Sequence, residues 1–106
     1  MVQVSSDSAA ELASICDGLL EARLAACAQI HGPITSRYWW QGKIEESAEW
    51  VATLKTTRAM VAPATEAIAA AHHYEVPEIL VLEAVASPAY GAWVAQEVGR
   101  RPASSD

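Results

Sequence analysis

The sequence predicts an α+β domain in which the elements run β-α-β-β-α-β before a C-terminal helix. Three observations predict it. An early helical pattern opens on a capping signal between two short runs of β-formers. Two longer β-rich runs flank Gln41-Gly42, and an alanine-rich helical stretch is cut off by Pro77 just ahead of the branched apolar run "EILVLEAVA".

Residues 1–5 form a short strand. "SAAE", Ser8 to Glu11, has capping-box spacing, with Ser8 taking an N3 backbone donor and Glu11 reaching back. The helix that follows carries Leu12, Ile15, Cys16, Leu19 and Arg23 on one face through about Ala25, with Glu11, Ser14, Asp17, Gly18 and Glu21 on the other. "CAQIHGPITSRYWW" and "KIEESAEWVATLKTT" then make a long hairpin around "QG". Pro33 has no N–H to donate, so Gly32-Pro33 marks a bulge or an edge. Thr56 and Thr57 are candidate N-caps for "RAMVAPATEAIAAAHH", in which Pro63 belongs to the first turn or kinks the helix. Pro77 bars helix at Val76, and "EILVLEAVA" reads as a central strand. Ser87-Pro88 starts a last helix through about Val98. The order is that of a split βαβ, or ferredoxin-like, domain over residues 1–98, with a flexible polar tail at 99–106.

The chain is rich enough in apolar residues, 52% of its 106, to bury one core. It has no phenylalanine, so four tryptophans and three tyrosines supply the bulk. A net charge of −6 opposes binding to a phosphate backbone or an anionic membrane and favours cationic partners. The first residues do not resemble a secretory signal and no run is long enough to span a bilayer, so the expected location is the cytoplasm. Cys16 and Cys27 lack a paired spacing and are expected to be reduced and buried.

Trp39 and Trp40 are neighbours in a strand and point to opposite faces, so at most one enters the core. The other needs cover, which a second subunit can supply. His72 and His73 have two readings: a favourable charge at the C-terminal end of the second helix, or ligands of a labile metal site completed by Glu75, Glu78 or a group from a neighbouring subunit. His31, beside Gly32-Pro33, is not expected to be a ligand.

The blocks "EARLAACAQI", "SRYWWQGKIEE", "LKTT" and "HHYEVPEILVL" resemble, in order and spacing, the CutA family of divalent-cation tolerance proteins, from about Leu12 to Val98. The resemblance implies a tight homotrimer assembled through sheets and extended hairpins, similar in architecture to PII-type signalling proteins. It implies a role in tolerance of copper or other divalent cations and carries no agreed enzymatic reaction. Trp39, Trp40, Tyr38, Lys55 and Tyr74 are the corresponding interface or cleft residues. His72 stands at the family's histidine, Tyr74, Glu75, Pro77 and Glu78 match the residues after it, and His73 replaces a usual proline. Some bacterial members carry a cysteine as a copper ligand at the end of the first strand. "QVSSDS" has none, so the expected metal is copper(II) or a similar divalent cation held by His72, His73, Glu75 and Glu78, with His72 foremost.

The chain shows no GxSxG, HExxH or Cys-His catalytic signature, and it is expected not to be an enzyme. The alternative is a PII-like module whose interprotomer cleft takes a small anion or nucleotide through Lys55 and Arg58, although no glycine-rich phosphate loop accompanies them.

Overall fold

The computed structural model describes residues 1–99. Residues 100–106, most of the expected flexible tail, lie outside the described residues. Along the chain run β1 (Val2–Ser6), α1 (Ala9–Glu21), β2 (Cys27–Trp40), β3 (Lys43–Lys55), a 3-10 turn (Arg58–Met60), α2 (Val61–Ala71), β4 (Ile79–Val81) and α3 (Pro88–Glu97). The sheet order is β2-β3-β1-β4, with each adjacent pair antiparallel. Insertion of β3 between β1 and β2 is the split βαβ arrangement of a ferredoxin-like domain.

Local signals explain most boundaries. Ser8 caps α1, its hydroxyl accepting the Glu11 N–H at 3.1 Å. The reciprocal half of the box is absent, because the Ser8 N–H goes to the Ser6 hydroxyl and the Glu11 carboxylate points elsewhere. Helix α1 ends at Glu21, short of the expected Ala25. Arg23 takes a left-handed conformation (φ 60°), and the bonds Leu24 N–H to Leu19 O and Arg23 N–H to Leu20 O close a Schellman motif without glycine. Arg23 therefore leaves the apolar face and pairs with Glu97 at 2.9 Å. Pro63 sits in the first turn of α2, where its missing N–H costs nothing. Thr57 opens the 3-10 turn without a side-chain cap bond, and the Thr56 hydroxyl bonds Leu24 O instead. Ser87 caps α3 as expected, accepting the Tyr90 N–H.

The hairpin turns through Gln41 (φ 49°) and Gly42 (φ 80°), the positive-φ pair of a type I′ turn. Its register shifts between His31 and Ile34, where Gly32 and Pro33 bulge and their peptide bond is cis. A Cβ on Gly32 (φ 142°) would lie 2.8 Å from Trp50 Cδ1 and 3.0 Å from Glu49 O, so only glycine fits this crossing. Beyond the bulge the two strands continue as an arm.

Register places Val2, Val4, Ala52 and Leu54 on one face of the sheet, and they share a core with Leu12, Ile15, Cys16, Leu19, Ala64 and Ile68 from the helices. The expected central strand and the expected burial of Cys27 both change. The central strand expected at 78–86 is a three-residue edge strand, with Leu80, Val81 and Leu82 about half exposed and Val85 fully so. Its apolar composition therefore does not reflect burial within one chain. Neither Trp39 nor Trp40 enters the core, because both lie on the arm beyond the bulge; Trp39 is 73% exposed beside Ile44 at 60%. Cys16 is buried, whereas Cys27 is only half-buried, and both are free thiols.

Candidate functional site

Three chain segments meet at one end of β1. The strand runs out at Ser5 and Ser6, α1 begins with Glu11 in its first turn, and α2 ends by delivering His72, His73 and Tyr74. Ligand atoms of Glu11, His72 and His73 all lie within 4.8 Å of one another, the one such group of three among the described residues.

The two histidines have different surroundings. The His72 side chain is fully buried. One ring nitrogen, Nε2, lies 2.6 Å from Ser5 O, and the other, Nδ1, accepts the Tyr74 N–H at 3.1 Å. A carbonyl only accepts, so this pattern specifies a proton on Nε2 and a lone pair on Nδ1. His72, the C-terminal cap of α2, thus ties the end of that helix to β1. His73 is half-exposed. Its Nδ1 lies 2.5 Å from Glu11 Oε2, its Nε2 3.1 Å from Asp7 Oδ1, and its backbone N–H donates to Glu11 Oε1 at 2.9 Å. The rings of His72, His73 and Tyr74 pack together at centroid distances of 4.6–5.5 Å.

Glu11 is the hub. The Ser6 hydroxyl donates to it at 2.8 Å, and His73 binds both of its oxygens. Burial pushes its carboxyl pKa up, but the hydrogen bonds from Ser6 and His73, aided by the nearby His72, outweigh this and hold it below the ordinary value. The group thus presents a charged carboxylate and an accessible imidazole, oxygen and nitrogen donors suited to copper(II) or zinc.

Glu75 and Glu78 do not join this group. They line a separate cleft of about 650 Å³ between the arm and the 74–78 segment, together with Tyr38, Trp39, Trp40 and Tyr74. At its edge Glu49, 6% exposed, accepts the Tyr74 hydroxyl proton at 2.7 Å. Burial, and then this bond to Glu49, raise the Tyr74 pKa well above the ordinary phenol value and keep it a donor. Lys55 is not part of the cleft and donates to Gln29 at 2.6 Å; Arg58 pairs with Glu83 on the surface. His31 is exposed in β2 and stands apart from the metal group.

Sequence reasoning missed Asp7, Glu11 and Glu49. In the sequence Glu11 reads as a helix cap, and nothing local distinguishes a capping carboxylate from one turned toward a histidine 62 positions away. Glu49 carried one faint signal, a lone carboxylate among the apolar residues of a strand entering the core.

Among known proteins, the family model described as CutA1 divalent ion tolerance protein matches residues 1–97. The divalent-cation tolerance protein CutA of Thermus thermophilus is 36% identical over 100 residues, which are 93% of this chain and 95% of that protein. A solved Thermus structure, titled divalent cation tolerance protein (Cut A1), superposes with a TM-score of 0.87 at 34% identity, covering 92% of this chain and 96% of that one. A solved structure from Archaeoglobus fulgidus, titled periplasmic divalent cation tolerance protein CutA, superposes with a TM-score of 0.83 at 32% identity, covering 88% and 91%. Mouse Protein CutA is 41% identical over 83 residues, 77% of this chain. The chain spans about half the length of the mouse and Xenopus laevis relatives, 47% and 54%. With the sheet order, the solved relatives and a family match over nearly every described residue in agreement, the chain belongs to the CutA1 family of divalent ion tolerance proteins.

Proposed function

We propose that this chain is a homotrimeric, non-enzymatic protein of divalent-cation tolerance that holds copper(II), or a similar divalent ion, in a labile site. The observation that carries the reading is the convergence of Glu11 and the two histidines, with Asp7 on the outer nitrogen of His73. His73 replaces His72 as the expected leading ligand, because it is accessible, whereas both ring nitrogens of His72 are engaged by backbone. His73 Nδ1 and Glu11 would hold the ion, while Asp7, on the other ring nitrogen, would orient the imidazole from outside. Glu75 and Glu78 have no part in this version of the site. Metal and protons compete for the same ligand atoms, so binding weakens as the pH falls.

The non-enzymatic part rests on the family resemblance, which carries no agreed reaction. The trimer is supported by the exposed apolar surface of the arm and the β4 edge, Trp39, Ile44, Leu80 and Val81 among it, which needs cover from another copy. Two free thiols suit a reducing cytoplasm. The PII-like alternative is weakened, since Lys55 and Arg58 already have partners and do not converge on a shared pocket.

Calorimetric titration of metal-free protein with copper(II) tests the site. The expected result is 1:1 binding per protomer that His73→Ala weakens by at least about tenfold. Unchanged affinity in that variant refutes the assignment. Light scattering should give about three times the 11.3 kDa chain mass, and a monomer at micromolar concentration refutes the assembly.

A further inference from the structure

The cleft between the arm and the 74–78 segment is unused by the metal site, and its lining has a distinct chemistry. Its volume of about 650 Å³ falls in the ordinary range for small-molecule sites, about 300–1,000 Å³. Four aromatic side chains, Tyr38, Trp39, Trp40 and Tyr74, line it. Its charges are three carboxylates, Glu49, Glu75 and Glu78, against one guanidinium, Arg37, which already pairs with Glu46 at 3.0 Å. The cleft is therefore negative.

Glu49 is the most telling residue. It is 94% withdrawn from solvent, a costly place for a carboxylate, and among the described residues its hydrogen-bond partner is the Tyr74 hydroxyl alone, on Oε2. The other oxygen, Oε1, keeps some contact with solvent and remains an available acceptor on a residue that lines the cleft. A single metal ion does not account for the arrangement, because Glu49, Glu75 and Glu78 form no group of convergent ligand atoms. Charge spread along a wall of aromatic rings suits a larger, softly hydrated cation, which gains from ring faces as well as from carboxylates.

We propose that this cleft binds a small organic ammonium ion, with Glu49 as its buried counter-charge, Glu75 and Glu78 at the rim, and the four aromatic rings as its walls. The site is independent of the copper reading. It differs in ligand class from an anion or nucleotide pocket, which three carboxylates would repel.

The test is a calorimetric titration of the full-length protein with choline in buffer containing EDTA, beside its neutral isostere 3,3-dimethylbutan-1-ol. Choline is expected to bind at least about tenfold more tightly than the alcohol. Glu49→Gln, which keeps an acceptor for Tyr74 but removes the charge, is expected to cost choline about tenfold or more. Should that variant fail to fold, the double variant Glu75→Gln/Glu78→Gln is expected to weaken choline by about threefold or more. The EDTA keeps the His73 site metal-free, so choline binding in this buffer is read apart from the metal site. Equal binding of choline and the alcohol overturns the proposal, as does binding of neither or full affinity in the glutamine variants. Failure because a neighbouring arm fills the cleft would appear as binding of neither.

Discussion

Replacement of His72 by alanine separates a structural histidine from a ligating one, and its cost can be worked from the contacts. The imidazole is fully buried and bridges two elements, with Nε2 at 2.6 Å from Ser5 O and Nδ1 at 3.1 Å from the Tyr74 N. Its removal leaves acceptor capacity unmet at Ser5, a residue only 4% exposed, where water has poor access. An unmet buried hydrogen-bonding group costs about 1–3 kcal/mol. The lost packing against Tyr74 and the void left by the ring add to it, for a total of about 2–4 kcal/mol. His73→Ala removes instead a half-exposed ring whose ion pairs with Glu11 and Asp7 are worth about 0–1 kcal/mol. Urea unfolding at a fixed protomer concentration is the assay, because assembly makes the midpoint concentration-dependent. With a slope of about 1–3 kcal/mol per molar, His72→Ala should lower the midpoint by about 1 M or more, and His73→Ala by much less. Copper affinity should show the opposite order, lost in His73→Ala and retained in His72→Ala wherever that variant is folded. If His72→Ala unfolds like the parent protein yet loses copper, the tie between α2 and β1 is not what His72 provides.

Gly32→Ala should destabilise the protein by about 1–3 kcal/mol from backbone strain at φ 142° alone, before the clash with Trp50 is counted, and urea unfolding reads it directly. Cys16, whose pKa is pushed up to about 11 by burial and then by Asp17, should react slowly with a thiol reagent in the native state, and the half-buried Cys27 should label first. The reverse order by mass spectrometry would place Cys16 at the surface. Glu11 has a folded-state pKa below its ordinary 4.5, so folding favours its charged form. The stability it contributes is present above about pH 4.5 and is lost as the pH falls through the lower folded-state value. Acid unfolding of Glu11→Gln should accordingly show a shallower slope in that range, and an unchanged slope would remove Glu11 from the network.

By itself the sequence determined the elements whose signals are local. Ser8 and Ser87 as caps, Gly42 in the hairpin turn, the bulge at Gly32-Pro33 and the apolar stripe of α1 are each decided within a few residues, by backbone sterics or by a 3.6-residue period. Those elements in that order are enough for the ferredoxin-like domain, and the spacing of four blocks pointed to the family. Tertiary structure decided what no local signal encodes. It chose which of two adjacent histidines is buried against Ser5 and which faces Asp7 and Glu11, because that depends on how the end of α2 meets β1 across more than sixty intervening positions. It turned Glu11 from a helix cap into the hub of that cluster, since a carboxylate offered an imidazole and a hydroxyl binds them in preference to its own backbone. It placed the apolar β4 at an edge and both arm tryptophans outside the core, because hydrophobicity records that a surface is to be covered and not which surface covers it. And it set Glu49 at the edge of an aromatic cleft, because the bulge facing it decides where the core ends and the arm begins.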